Sequence, residues 1–171
     1  MTMKELERCI EVYSRDIYTF CLWLAKNQEY ADDLYQDTFL TAMEIIDRID
    51  AEENMKSYLL SISIRIWKNM KRKWAWRNRI APTVEITDDF NVDLVYEEKD
   101  RVLEGEKSAV LKSAIAALPE KYRVIILLYY MEEVPQEKIA AILHVPIGTV
   151  KSRLYAARKL LKSELEEYFH E

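Results

Sequence analysis

Apolar side chains recur every three or four residues along most of this chain, the period of helices buried on one face. Between Met3 and Lys26 the series Leu6, Cys9, Ile10, Tyr13, Ile17, Phe20, Cys21 and Leu24 traces one such face. Asn27–Tyr30 interrupts it. A second helix is expected over Tyr30–Ile49, with Leu34, Phe39, Leu40, Met43 and Ile46 inward. Asp32 and Asp33 then fall in its first turn, where carboxylates complement the positive helix end. A polar connection, Asp50–Asn54, leads to a third helix over about Met55–Arg79, with Tyr58, Leu59, Ile62, Ile66 and Met70 inward. Three such helices can form one bundle.

Pro82 ends this series, and Thr83–Lys107 has mixed apolar spacing and reads as a partly helical linker. Helical spacing resumes over Ser108–Leu118. Leu118-Pro119-Glu120 is a stop and restart, with Pro at the first turn of the next helix, Lys121–Met131. Glu132–Pro135 turns, and Pro135–Leu143 and Pro146–Tyr168 follow as the last two helices. Only 2 Gly and 4 Pro occur in 171 residues, too few for a fold of strands and tight turns. The expected fold is all-α: two small helical bundles joined by an acidic linker, the second containing a helix-turn-helix. The expected boundaries are 1–81, 82–107 and 108–171.

Charge changes this picture from a fold to a set of surfaces. The net charge of -5 argues against a uniformly basic protein, but the charges are segregated. Residues 1–53 hold 13 acids and 5 bases, residues 54–84 hold 8 bases and no acid, and residues 85–107 hold 9 acids and 3 bases. Residues 138–163 hold 6 bases and no acid. Local sign asymmetry of this kind speaks of partners.

Three constellations carry candidate chemistry. In the last helix Val150, Leu154, Ala157 and Leu161 recur at i, i+4, i+7 and i+11 and pack inward, so Lys151, Ser152, Tyr155 and Lys159 point outward. The short preceding helix and the turn His144–Ile147 complete a helix-turn-helix pattern, whose second helix enters the DNA major groove. Thr149, Lys151, Ser152, Arg153, Tyr155, Arg158 and Lys159 are the candidate duplex contacts, offering phosphate neutralisation and donors to base edges. Upstream, Trp67, Trp74 and Trp76 interleave with Arg65, Lys68, Lys71, Arg72, Lys73, Arg77 and Arg79. Cations follow a phosphate backbone and aromatic rings stack on unpaired bases, so this run suits melted DNA better than duplex. The plainer reading makes Trp67 and Trp74 core anchors beside a solvated flank. Third, Asp33, Gln36 and Asp37 share a helix face at i, i+3 and i+4. That stripe repels nucleic acid and suits a protein partner bearing Arg or Lys, although a solvated helix start would look the same.

The segments ADDLYQDTFLTAM, YLLSISIRIWKNMKRK, LPEKYRVIILLYYMEEVPQEKIAAIL and PIGTVKSRLYAARKLLK resemble the extracytoplasmic-function sigma factors, small two-domain members of the bacterial sigma-70 family. The resemblance covers about residues 5–80 and 108–165. It implies an RNA polymerase sigma factor for transcription initiation. The N-terminal domain would bind core RNA polymerase through Asp33, Gln36 and Asp37. The same domain would read and help melt the promoter −10 element through Ile49–Lys56 and the basic face Arg65, Trp67, Lys68, Lys71, Arg72 and Lys73. The helix-turn-helix would read the −35 element in duplex form. The implied partners are bacterial core polymerase, promoter DNA and, as for many such factors, a cognate anti-sigma factor. The linker would thread toward the polymerase active centre. Two departures stand out. Ala156 replaces an Arg that the family often carries, and His144 and Pro135 stand where Gly and Ser are common.

A second reading is a helix-turn-helix regulator that binds duplex DNA without polymerase; the Trp-Lys-Arg run is what it would not need. An enzyme, such as a nucleic-acid hydrolase, finds little support. There are 2 His, no clustered metal ligands and no glycine-rich phosphate loop, so no cofactor is expected. Cys9 and Cys21 lie in apolar helical context and read as small buried hydrophobes. The charged N-terminus lacks a signal-peptide core, and the longest apolar run is too short to span a membrane. The expected location is cytoplasmic, without membrane insertion.

Overall fold

The computed structural model describes residues 1–51, 54–80 and 106–169. It divides into two compact units, Met1–Phe90 and Asn91–Glu171. The described residues form helices joined by short turns, with no strand among them. The expected break at Pro82 and most of the expected linker lie outside the described residues.

The first unit is a three-helix bundle of α1 (Met3–Ala25), α2 (Gln28–Glu44) and α3 (Met55–Ile80), each packed on the other two. A single 3-10 turn, Ile46–Arg48, follows α2. Thr2 starts α1 through a capping box: its side chain accepts from the Glu5 N–H while the Glu5 carboxylate accepts from the Thr2 N–H. Those hydrogen bonds hold the Glu5 carboxyl below its ordinary value. Lys26 ends α1 in a left-handed conformation (φ 53°), its N–H donating to the Leu22 carbonyl at 2.9 Å. Asn27 then caps α2, its Oδ1 accepting from Tyr30 N–H at 3.0 Å. Two residues therefore make the break that the spacing places over four. Asn54 caps α3 in the same way, accepting from Ser57 N–H at 3.1 Å.

The packing corrects the expected faces. In α1 the run Phe20–Leu24 is buried without interruption, Leu22 and Trp23 included, because α2 and α3 cover this end together. In α2 the inward positions are Ala31, Leu34, Thr38, Phe39 and Ala42, whereas Leu40 and Met43 are exposed at 53% and 36%. A buried threonine displaces the larger residues because it has a partner. The Thr38 and Ser63 hydroxyls lie 2.9 Å apart, with the Leu34 and Leu59 carbonyls within reach as acceptors at 2.7 and 3.0 Å, so one hydroxyl donates to the other while that other donates to its own helix carbonyl. Two hydroxyls matched across α2 and α3 can be buried at little cost, where one alone could not. Cys21 lies beside them, and burial pushes its thiol up to about 12, consistent with an inert core residue.

The second unit holds α4 (Glu106–Ala117), α5 (Glu120–Ile126), a π turn (Leu127–Met131), α6 (Gln136–Leu143) and α7 (Ile147–Phe169). α7 is its axis, packing against α4, α5 and α6. Pro119 makes the predicted restart. Arg123, buried at 6% exposed, secures the corner by donating to the Leu118 carbonyl at 2.9 Å. The expected helix Lys121–Met131 loosens into the π turn, where Glu132 N–H reaches back to the Leu127 carbonyl at 3.0 Å.

Candidate DNA and polymerase interfaces

The turn before α7 aims its basic face. His144 adopts φ 54°, in the left-handed region. The Val145 N–H donates to the Ala140 carbonyl at 3.1 Å and the His144 N–H to the Ala141 carbonyl at 3.4 Å, closing α6 with a Schellman turn. Pro146 follows at once, and its carbonyl accepts from Thr149 N–H at 3.0 Å to open α7. Histidine thus holds the conformation that glycine takes more easily, and the turn survives the substitution.

On α7, Val150, Leu154 and Ala157 are buried and Leu161 is half-buried, as the spacing predicts. Lys151, Ser152, Tyr155 and Lys159 are exposed, Tyr155 at 69%. Thr149 and Arg153 are half-buried at the margin of this face. The Ser152 hydroxyl donates to the Thr149 carbonyl at 3.0 Å, so it is turned along its own helix. Gly148 sits in the first turn with nothing within 4 Å of where a Cβ would stand. No neighbouring atom of the chain therefore requires glycine there.

Arg158 differs from the rest of the candidate duplex set. Its Nε donates to the Tyr130 hydroxyl, and its guanidinium stands over the Tyr129 and Tyr130 rings at 5.7 and 5.5 Å. The π turn presents those rings. Arg158 also borders an apolar groove of about 560 Å³ lined by Leu111, Ile115, Ile126, Met131 and Leu161. It thus belongs to this groove's rim as much as to the basic face. The spacing pattern gives no sign of the groove, because its lining comes from α4, α5, the π turn and α7 together.

The basic run of α3 splits in two. Arg65, Lys68, Arg72 and Lys73 are exposed, and Lys71 is half-buried with its ammonium 6.0 Å from the Trp67 ring. Trp67, expected on the −10 surface, is 6% exposed. It meets Trp74 edge to face at 5.4 Å, and Trp74 lies 4.6 Å from Tyr30 on α2. Trp67 is thus corrected from surface to core: an aromatic cluster joining α3 to α2 claims it. Of the three tryptophans in the run, Trp76 is the one left out, at 64% exposed.

The acidic stripe of α2 forms as predicted: Asp33, Gln36 and Asp37 are all exposed. Asp32 turns instead toward α1, where its Oδ1 accepts from the Tyr18 hydroxyl. Burial, and then the bond to Asp32, push the Tyr18 hydroxyl up to about 12. Tyr18, Tyr35 and Phe39 meet edge to face at 5.4 and 5.0 Å, and Tyr18 and Tyr35 line an open cleft beside Gln36. No cluster of metal-ligating side chains occurs among the described residues, and no helix there is long and apolar enough to cross a membrane.

Against this geometry, family models match in two places. Sigma-70 region 2 matches residues 9–77, and sigma-70 region 4 matches residues 108–161. The chain is 30% identical over 164 residues to the ECF RNA polymerase sigma factor SigW of Bacillus subtilis, covering 92% of this chain and 87% of SigW. It is 29% identical over 160 residues to RNA polymerase sigma factor SigV of the same organism, covering 94% of this chain and 90% of SigV. In fold it is similar to the sigma factor RpoE, solved with the anti-sigma factor NepR from Bartonella quintana. That match has a TM-score of 0.79 at 24% identity, over 96% of this chain and 98% of RpoE. CnrH, solved with the cytosolic domain of CnrY, is similar at a TM-score of 0.65 and 19% identity, over 97% of this chain and 90% of CnrH. The chain belongs to the extracytoplasmic-function sigma factors of the sigma-70 family, the subunits that direct RNA polymerase to promoters.

Proposed function

We propose that the two units divide promoter recognition between them. In the first, Asp33, Gln36 and Asp37 bind a basic surface of core RNA polymerase. On α3, Arg65, Lys68, Lys71, Arg72 and Lys73 hold the −10 element, with Trp67 setting the helix from within. In the second, Lys151, Tyr155 and Lys159 are the principal contacts to the −35 duplex, flanked by Thr149, Ser152 and Arg153. Arg158 is assigned to the groove rim, so its part in DNA contact is secondary. The observation that carries this reading is the separation of charge: cations face outward on α3 and α7, and carboxylates face outward on α2.

Such a subunit binds and positions DNA, and the bond-making chemistry belongs to the polymerase, so the protein itself is not an enzyme. It acts where core polymerase acts, in the cytoplasm. The partner named in the RpoE structure is an anti-sigma factor, and we include one among this chain's partners; the apolar groove beside α7 suits a protein better than a nucleic acid. The polymerase-independent regulator is not favoured, since both sigma regions match and the relatives are polymerase subunits.

Charge reversal on α2 tests the assignment. Asp33→Arg, at an exposed position, should leave the thermal melt unchanged and weaken core binding by at least roughly tenfold. Wild-type affinity for core in that variant would remove Asp33 from the interface.

A further inference from the structure

The last turns of α3 stand clear of the bundle: every residue from Ala75 to Ile80 is exposed. Two of them are large and apolar, Trp76 at 64% and Ile80 at 65% exposed. Trp76 follows Trp67 by about two and a half helical turns, so it points away from the aromatic cluster that buries Trp67. Ile80 comes one turn later and continues the same outward seam. Arg72 and Arg79 border that seam on one side and Lys73 and Arg77 on the other, all within about 80° of its midline. Among the described residues these four cations are held in no ion pair, and no acid occurs in residues 54–84.

Nucleic acid accounts for only part of this face. Cations suit phosphates, and an exposed indole can stack on an unpaired base. Ile80 fits neither role. An aliphatic branch offers a base no flat face and a phosphate no donor, yet it stands between the two rows of cations. An apolar seam with cations on both flanks matches a surface that is anionic at its edge and hydrocarbon about 5–10 Å deeper. An anionic bilayer is such a surface. Indoles favour the headgroup level, and the stems of arginine and lysine can lie along the apolar boundary while their charges stay with the phosphates. No helix among the described residues is long and apolar enough to cross a membrane, but a helix end can lie on a membrane without crossing it.

We propose that the end of α3 is a peripheral docking site for anionic phospholipid membranes. Trp76 and Ile80 enter the headgroup layer, and Arg72, Lys73, Arg77 and Arg79 meet the lipid phosphates around them. Docking of this kind draws on no promoter assignment. Its failure would leave the promoter reading untouched, and failure of the promoter reading would leave the docking intact.

The test titrates the full-length protein with vesicles of phosphatidylglycerol mixed with phosphatidylcholine, and with vesicles of phosphatidylcholine alone. The mixed vesicles should bind at least roughly thirtyfold more tightly than the neutral ones, since several cations act together. Trp76→Ala with Ile80→Ala should weaken binding to the mixed vesicles by roughly tenfold or more. Arg77→Gln with Arg79→Gln should do the same through charge alone, by roughly tenfold or more. A second readout uses lipids brominated along the acyl chains, which quench a tryptophan that enters the bilayer. Trp23 and Trp67 are buried at 1% and 6% exposed and Trp74 is half-buried, so the quenching should come from Trp76. Trp76→Phe should keep most of the binding and lose the quenching, a result that does not depend on how the alanine variants fold. Absence of binding to the mixed vesicles overturns the proposal, and so does equal binding to neutral ones. Wild-type affinity in Trp76→Ala with Ile80→Ala, or quenching that persists in Trp76→Phe, overturns it too, because the contact would then lie elsewhere on the protein.

Discussion

α3 and α7 are both long helices with an acid-free basic stretch, yet they are built for different states of DNA. α7 follows a tight turn, carries its cations from the first turns and interleaves them with hydroxyls and one exposed tyrosine. Its start is open, with Gly148 bare. That is the equipment for entering a groove and reading base edges. α3 carries seven of its eight cations from Arg65 onward, and the aromatic residues among them are tryptophans. Two of those steady the helix and one stands exposed. That is the equipment for a backbone whose bases have come apart. Basic charge alone is therefore a poor guide to what a helix binds; the residues between the charges decide.

The comparison breaks most severely if the α3 cations do not meet phosphates. Arg72→Glu with Lys73→Glu should lower transcription from a duplex promoter by roughly a hundredfold at low salt. It should also flatten the salt dependence of open-complex formation by about one unit of slope for each phosphate no longer neutralised. An unchanged slope would mean that these cations only solvate the helix. On α7, Lys151→Ala with Tyr155→Ala should weaken binding to a −35 duplex by about tenfold, the scale of one or two base-edge hydrogen bonds. Intact duplex binding in a mobility-shift titration would move the reading face elsewhere.

Gly148 gives a sharper version of the second test. A methyl group added there meets nothing within 4 Å, and alanine favours a helix over glycine by about 1 kcal/mol. Gly148→Ala should therefore raise the thermal stability of the protein. If the space serves an approaching DNA strand, it should also weaken duplex binding several-fold. Higher stability with unchanged DNA binding would leave the glycine unexplained.

The smallest effect concerns the anionic side. The Tyr18 hydroxyl is held up to about 12 against an ordinary 10. Its folded-state value is raised, so its contribution to stability is present below about pH 10 and is lost as pH climbs through 12. A spectrophotometric alkaline titration should show one tyrosine ionising late, and Asp32→Asn should bring it earlier. No late-ionising tyrosine would mean that Tyr18 and Asp32 are not bonded in solution.

The helices, their order and the outward faces of α2 and α7 were legible because period and capping residues are local signals. Pro119 and the restart after it could be read from three residues. What escaped was decided by packing between elements. Leu40 and Met43 looked inward until the Thr38–Ser63 pair set the rotation of α2. Trp67 and Trp76 are alike in sequence context, and only the position of Tyr30 and Trp74 shows which is core. The same holds for Arg158, whose tyrosine partners lie 28 and 29 positions away and are brought near by a π turn that no spacing rule announced.

The most direct test of the account is a crossed binding measurement with holoenzyme formed from bacterial core polymerase. The Arg72→Glu/Lys73→Glu and Lys151→Ala/Tyr155→Ala variants are each titrated against a single-stranded −10 segment and a −35 duplex from one active promoter. The account predicts crossed defects: the α3 variant loses the single strand and keeps the duplex, and the α7 variant does the reverse. Parallel losses on both probes would contradict it, and would mean that the two basic helices serve as one undivided electrostatic surface.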